Sequence, residues 1–304
     1  MARAWHETGA EAELRRRTGS GGDVVRTQVP DDEHSHVDEL TLGGVSVRDG
    51  HGAILTRLEQ LLGIRVSFEE LMTRASSHDS GHSSWVTAVI LLAMRRDQET
   101  WAAAAALRTH AEPSHRLFGA EVLRLTRLFD GSDEDVFAAP ALDLFTEWSA
   151  AEDDVAVLTT VLVALGEHTD GRAEAALLPY AGHDDAGIRC AVAEGLRVRP
   201  EQPDLPGGAR AAVLGLLTDN DAAVRRAACR AVAESRIRDA SLTEAMAALV
   251  DDEDRQVQVT AVYGLALHDD ERCVEAARRL PPAPRGAPYV YELDEVWRYE
   301  LRHR

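Results

Sequence analysis

Three stretches of this chain, residues 180–196, 216–232 and 249–265, can be laid over one another without a gap. In each, an aspartate (Asp185, Asp221, Asp254) stands three residues before a branched residue (Ile188, Val224, Val257), and small or aliphatic residues follow at helical spacing. Such self-similarity constrains the fold more than any other feature. A single helix pair cannot bury the apolar face this pattern paints, so neighbouring copies must stack.

With the apolar residue that opens each second helix as a register mark, copies fall at Trp85, Leu117, Val157, Ile188, Val224 and Val257, at separations of 32, 40, 31, 36 and 33 residues. The long interval contains an acidic insertion, Asp130-Gly-Ser-Asp133-Glu134-Asp135. Positions +3, +4, +7 and +8 from the mark carry Ala88, Val89, Leu92 and Ala93 in the first copy and Thr160, Val161, Ala164 and Leu165 in the third. That spacing makes one stripe along a helix, and its small members let the next helix approach closely. Three residues before the mark stand His82, Ser114, Asp154, Asp185, Asp221 and Asp254. A short polar side chain there caps the free N–H groups of the helix that follows.

These residues resemble the HEAT-like pattern, in which a first helix ends in D-x-D and a second begins V-R-x-x-A-x-x-A-L. Asp219, Asp221, Val224, Arg225, Ala228 and Ala231 match it best, and Asp185, Ile188, Arg189 and Leu196 follow. The periods are similar to those of compact bacterial repeats first associated with phycobilin lyase subunits. The arginine after the mark is replaced by Val86, Phe118, Leu158 and Gln258 in four copies. The resemblance implies an all-α fold, a right-handed α–α superhelix of about six helix pairs. Residues 51–280 are assigned to the array and 1–50 to a flexible acidic leader with one short helical stretch near Ala10. Residues 281–304, entered through Pro281, Pro282 and Pro284, form an aromatic capping segment.

Composition limits what such an array can do. Hydrophobic residues make up 45% and aromatics only 5%, which suits close packing through Ala, Leu and Val. A net charge of −19 disfavours nucleic acid, whose phosphates need clustered cations, and favours a basic protein or peptide partner. All 33 basic residues are arginine, so Walker A loops, Schiff bases and lysine general bases are excluded. Three scattered cysteines, Cys190, Cys229 and Cys273, form neither a disulfide framework nor a CxxC site, and a reducing cytoplasm is expected. Arg15, Arg16 and Arg17 precede no apolar run, so no secretory signal is expected, and no run is long enough for a membrane.

Chemistry known on HEAT-like folds depends on specific sets of residues. The di-iron site of deoxyhypusine hydroxylase needs repeated His-Glu pairs, whereas His6-Glu7 is the chain's one such dipeptide. AlkD-like DNA glycosylases use tryptophans and an aspartate in a basic groove. Here Trp85, Trp101, Trp148 and Asp143 are present, but residues 130–154 carry nine carboxylates and no arginine. A lyase-like or glycosylase-like enzyme or accessory subunit therefore stands second to a non-enzymatic scaffold. No catalytic residue, metal site or cofactor is expected; Glu33, His34 and His36 form only a local polar cluster. Two partner-binding surfaces are expected. One is the acidic set Asp130, Asp133, Glu134, Asp135, Glu152, Asp153 and Asp154; the other is the aromatic tail with Tyr289, Tyr291, Trp297 and Tyr299.

Overall fold

The structure, a computed structural model, describes residues 9–129, 135–196, 207–235, 239–281 and 290–303. The chain divides into two compact units, residues 1–141 and 142–304, with the boundary inside the helix Ala138–Ser149. The described residues form sixteen α-helices and one three-stranded antiparallel sheet.

The first unit opens with α1 (Ala10–Thr18), β1 (Val25–Pro30), β2 (His36–Leu42) and β3 (Val45–Arg48). The helix lies where helical spacing put it; the strands correct the reading of this region, which named none. Leu42 pairs with Val45 across Gly43 and Gly44, whose φ angles of 59° and 78° make the left-handed two-residue turn that glycine permits. Leu40 and Leu42 pack on Ala10 and Leu14 in a small core of their own. A carboxylate, Asp38, shares the inner face of β2 and takes a 2.7 Å bond from Arg26 Nη1.

The unit continues with α2 (His51–Leu61), α3 (Phe68–Ser76), α4 (Ser83–Arg95), α5 (Gln98–Ala106) and α6 (Pro113–Leu128), and α2, α4 and α6 pack in that order. His82 caps α4 through Nδ1, which accepts from the Ser84 N–H at 3.1 Å. Ser114, expected as the cap of α6, is not one. Pro113 starts that helix earlier, after Glu112, because its fixed φ suits the first helical position and its missing N–H is no loss there. The buried mark is consequently Phe118, edge-on to Trp85 at 5.2 Å, while Leu117 is half-exposed.

The second unit contains the rest of α7 (Ala138–Ser149), then α8 (Val155–Gly166), α9 (Gly171–Leu177), α10 (Ala186–Gly195), α11 (Gly207–Leu216) and α12 (Ala222–Glu234). It ends with α13 (Ala240–Ala248), α14 (Arg255–Leu267), α15 (Arg272–Arg279) and α16 (Val290–Arg302). The second helices α8, α10, α12 and α14 stack in succession, and α16 packs on α14 and α15. Asp154, Asp185, Asp221 and Asp254 each accept from backbone N–H groups two or three residues on, as the spacing predicts. Val157, Ile188, Val224 and Val257 are fully buried. Small residues set the spacing: a Cβ on Gly166 would stand 2.5 Å from Gly195 Cα.

Arginines tie each turn to the next. Arg189 donates from Nε and Nη2 to both oxygens of Asp219 at 2.7 and 2.8 Å, and Arg225 does the same to Asp252 at 2.7 and 2.8 Å. Each also donates from Nη1 to two carbonyls of its own turn, His183 and Asp184 or Asp219 and Asn220. Where the arginine is missing, Gln258 Nε2 reaches the Asp252 carbonyl at 2.6 Å. In α6 Arg116 reaches the carbonyls of His110 and Ala111. On the first helices Arg172 pairs with Asp143, Arg210 with Asp239 and Arg272 with Glu244, each across about one repeat. The planar fork of arginine makes the two-point contacts of Arg189, Arg210, Arg225 and Arg272, which an ammonium cannot.

Candidate partner-binding surfaces

Asp130, Asp133 and Glu134 lie outside the described residues. The rest of the acidic set is divided between the units. In the first, Asp135 accepts from the Phe137 N–H at 3.0 Å and sits 3.8 Å from Arg127 Nε and 3.9 Å from Arg96 Nη2. In the second, Glu152 is buried and accepts at 3.0 Å from Trp148 Nε1 and at 3.0 Å from the Asp154 N–H. Asp154 caps α8, and Asp153 is exposed to solvent. Three of these carboxylates therefore hold helix entries, a role that D-x-D spacing signals equally well.

In the aromatic segment Tyr289 lies outside the described residues, and Tyr291 sits on α16 with its side chain also outside them. Trp297 is 57% exposed, whereas Tyr299 is 8% exposed and stacks on His303 at 4.2 Å. Val296 joins Tyr299 on the buried side of α16, while Leu301 faces solvent. One helix thus contributes both a covering face and an outward tryptophan.

Residues weighed for chemistry are engaged elsewhere. Trp85 is buried and donates to Glu121, a carboxyl that burial pushes above its ordinary range. Trp148 is buried on Glu152, Trp101 lies against Phe137, and Asp143 pairs with Arg172. Burial also raises the thiol pKa values of Cys190, Cys229 and Cys273, that of Cys273 to about 11, so these thiols stay protonated at neutral pH. Among the described residues no group of three or more His, Cys, Asp or Glu is placed to hold a metal ion.

A surface that repeat spacing did not single out lies in the first unit. Ile54, Leu58 and Leu61 on α2 and Leu62 at its C-cap recur at helical spacing, yet they are 48 to 75% exposed. The inward side of α2 is polar instead: Arg74 Nη1 donates to Thr56 Oγ1 at 3.1 Å and to Glu59 Oε2 at 2.6 Å, and Arg74 is itself buried. Gly52 lies against Ser84, so the first turns of α2 and α4 are side by side. Between these helices runs an open groove of about 390 Å³, walled by Ile54 and Leu58 and by Val86, Ile90 and Met94. Asp31, Asp32, Ser35 and Ser83 close one end, where Ser83 Oγ donates to Asp31 Oδ2 at 2.7 Å. A second cavity, about 530 Å³, lies in the second unit among Glu234, Tyr263, His268, Asp269, Glu295 and Arg302. Ala233 and Leu267 also line it, and Glu295 is engaged by Arg298 and Arg302.

No helix among the described residues is long and apolar enough to cross a membrane. No protein-family model and no curated protein matches the chain. Among solved structures it is similar to YibA of Escherichia coli, a HEAT-like repeat protein. The two are 15% identical over 76% of this chain and 80% of that one, with a TM-score of 0.56. An engineered protein aligns at 20% identity over 78% of this chain and 95% of its own, but its TM-score of 0.28 has no bearing on the fold. At such identity the likeness to YibA speaks for architecture alone: the fold is an all-α helical solenoid, with which a HEAT-like repeat arrangement is consistent.

Proposed function

We propose that the chain is a non-enzymatic scaffold or adaptor that binds a protein or peptide, and that the partner carries basic residues. The observation that carries this reading is outward-facing apolar and aromatic side chains on otherwise well-packed repeat helices: Ile54, Leu58, Leu61, Leu62 and Trp297. Side chains of this kind in solvent mark interaction surfaces. Aromatics are the usual anchors of such surfaces. Asp130, Asp133, Glu134 and Asp153 of the acidic set and Tyr289, Tyr291 and Trp297 of the tail serve as contacts, within an organisation of leader 1–50, array 51–280 and cap 281–304. The unpaired thiols suit a reducing, cytoplasmic setting.

Affinity capture of the full-length chain from its native cell, followed by mass spectrometry, tests the proposal. A protein recovered in stoichiometric amount, and lost on raising salt or on substituting Trp297→Ala, is the expected result. Recovery of a nucleic acid or small molecule with no protein would overturn it.

A further inference from the structure

We infer that the groove between α2 and α4 receives an amphipathic helix of a partner protein, whose apolar stripe fills the groove and whose terminal turn places an arginine or lysine beside Asp31 and Asp32. This rests on the scaffold reading and adds to it a site and a class of ligand.

The walls decide the shape of the occupant. They are helix side chains, and a helix keeps its backbone bonds to itself, so an extended peptide would find no free N–H or C=O row to pair with. An apolar helix needs only side-chain complementarity. The 11 residues of α2 span about 16 Å, enough for roughly three turns of a partner helix. Ile54 and Leu58 oppose Val86, Ile90 and Met94, which alternate with a buried face of α4 formed by Trp85, Ala88, Val89 and Leu92. Both faces of α4 are thus apolar; one is buried in the unit's own core, while on the other Val86 and Ile90 are half-buried and Met94 is exposed. The polar anchor of Arg74, Thr56 and Glu59 holds the apolar face of α2 outward.

Charge decides the orientation and the choice among occupants. Asp31 and Asp32 are exposed at one end of the groove, and neither has an arginine partner among the described residues. Arg57, on the α2 wall, donates to Gln60 of its own helix. A basic residue in the partner's terminal turn and an acidic one beside Arg57 complete both. An anionic lipid surface would be repelled by the two aspartates and by a net charge of −19. A second copy would bring another concave groove, and two concave faces leave the space between them unfilled.

The test uses the full-length chain and a displayed library of helical peptides about four turns long, with Leu or Ile fixed at i, i+4, i+7 and i+11 and the other positions random. Enriched peptides are expected to carry Arg or Lys at one end. By fluorescence anisotropy they should bind Leu58→Glu and Met94→Glu at least about tenfold more weakly than the unsubstituted chain. Both side chains are exposed, and far-UV circular dichroism checks that the variants remain folded. Asp31→Asn with Asp32→Asn should weaken the basic peptides several-fold and flatten their salt dependence. Peptides that bind Leu58→Glu unchanged, enrichment without a basic end, or no enrichment at all would each overturn the groove assignment. So would flotation with phosphatidylglycerol vesicles, or a dimer in light scattering that Leu58→Glu converts to a monomer. Peptides bound elsewhere would sink the groove while leaving the scaffold reading intact; that reading falls only if native capture returns no protein.

Discussion

Arg225 sits at a junction where one side chain makes four bonds, two to Asp252 of the next turn and two to carbonyls of its own. Burial pushes Asp252 up, yet the bond from Arg225 holds its carboxyl below the usual range; Arg189 likewise lowers Asp219. Lysine can supply charge there but not the planar fork. Arg225→Lys is therefore expected to lower unfolding free energy by roughly 1–3 kcal/mol, against less than about 0.5 kcal/mol for Arg230→Lys at an exposed pair. Urea unfolding of the two variants compares them, and equal midpoints would refute the role given to the fork. A second residue-scale prediction concerns His78 and His82, whose rings stack at 3.7 Å with His36 edge-on to His82 at 5.9 Å. Burial lowers both imidazole pKa values, with Asp49 and Asp38 opposing and Asp79 paired to His36. A lowered folded pKa means the unfolded chain binds protons first. The stabilisation is complete above the ordinary histidine value near 6.5 and is lost as pH falls below it toward the folded value. Protonating His82 Nδ1 would also remove the acceptor that caps α4. Melting temperature should thus fall from about pH 7 to pH 5 more steeply in the natural chain than in His78→Asn/His82→Asn. Parallel curves would contradict it.

Helix packing makes its own predictions through glycines that share a helical context but not an environment. A Cβ on Gly166 would meet backbone, Gly195 Cα at 2.5 Å, whereas one on Gly195 would first meet Leu177 Cδ1 at 2.6 Å, the end of a flexible side chain. A Cβ on Gly215 would meet nothing within 4 Å. Gly166→Ala should accordingly cost about 1–3 kcal/mol, Gly195→Ala less, and Gly215→Ala should stabilise by about 0.5–1 kcal/mol through helix propensity. Thermal denaturation ranks the three, and any other order would mean that α8 and α10 are not held as close as they stand here. The same small residues made the repeats legible, because an aspartate cap, a branched mark and a small +7 residue recur in the four copies marked by Val157, Ile188, Val224 and Val257. The strands of residues 25–48 were hidden for a physical reason. β1 is nearly all exposed, and Asp38 interrupts the apolar alternation of β2, so only short alternations remain, Val25-Thr27-Val29, Leu40-Leu42 and Val45-Val47. One usable signal was Gly43-Gly44 between Leu42 and Val45, the dipeptide a tight hairpin turn requires. The α2 groove was illegible for the opposite reason. Ile54, Leu58, Leu61 and Leu62 have the spacing of a core stripe, and only the buried Arg74 network turns them outward. Among the acidic residues, spacing distinguishes a cap such as Asp154 poorly from a free carboxylate such as Asp153, since both precede an apolar run.

Across the whole chain, stability should be distributed by nearest neighbours, since each turn of an array touches only the turns beside it. In the second unit α16 covers α14 and α15 with Val296 and Tyr299, and Arg302 reaches across to the carbonyl of Ala266 at 3.2 Å. Removing residues 282–304 would uncover that face and take the Arg302 bond from the Ala266 carbonyl. Loss of the cap removes apolar burial from the last pair directly and from earlier pairs only through their neighbours. Hydrogen exchange on the truncated chain is therefore expected to show α14 and α15 losing protection by an order of magnitude or more, while α8 and α10 keep theirs. Uniform loss from α8 to α15 would mean that the unit opens as one cooperative block, and the cap would then be a keystone rather than an end plate. Trp297, outward on the same helix, separates covering from binding: Trp297→Ala should leave the exchange pattern unchanged, and the Tyr299→Ala variant should reproduce part of the truncation. If both substitutions loosened α14 equally, the two faces of α16 would not be divided between cap and partner.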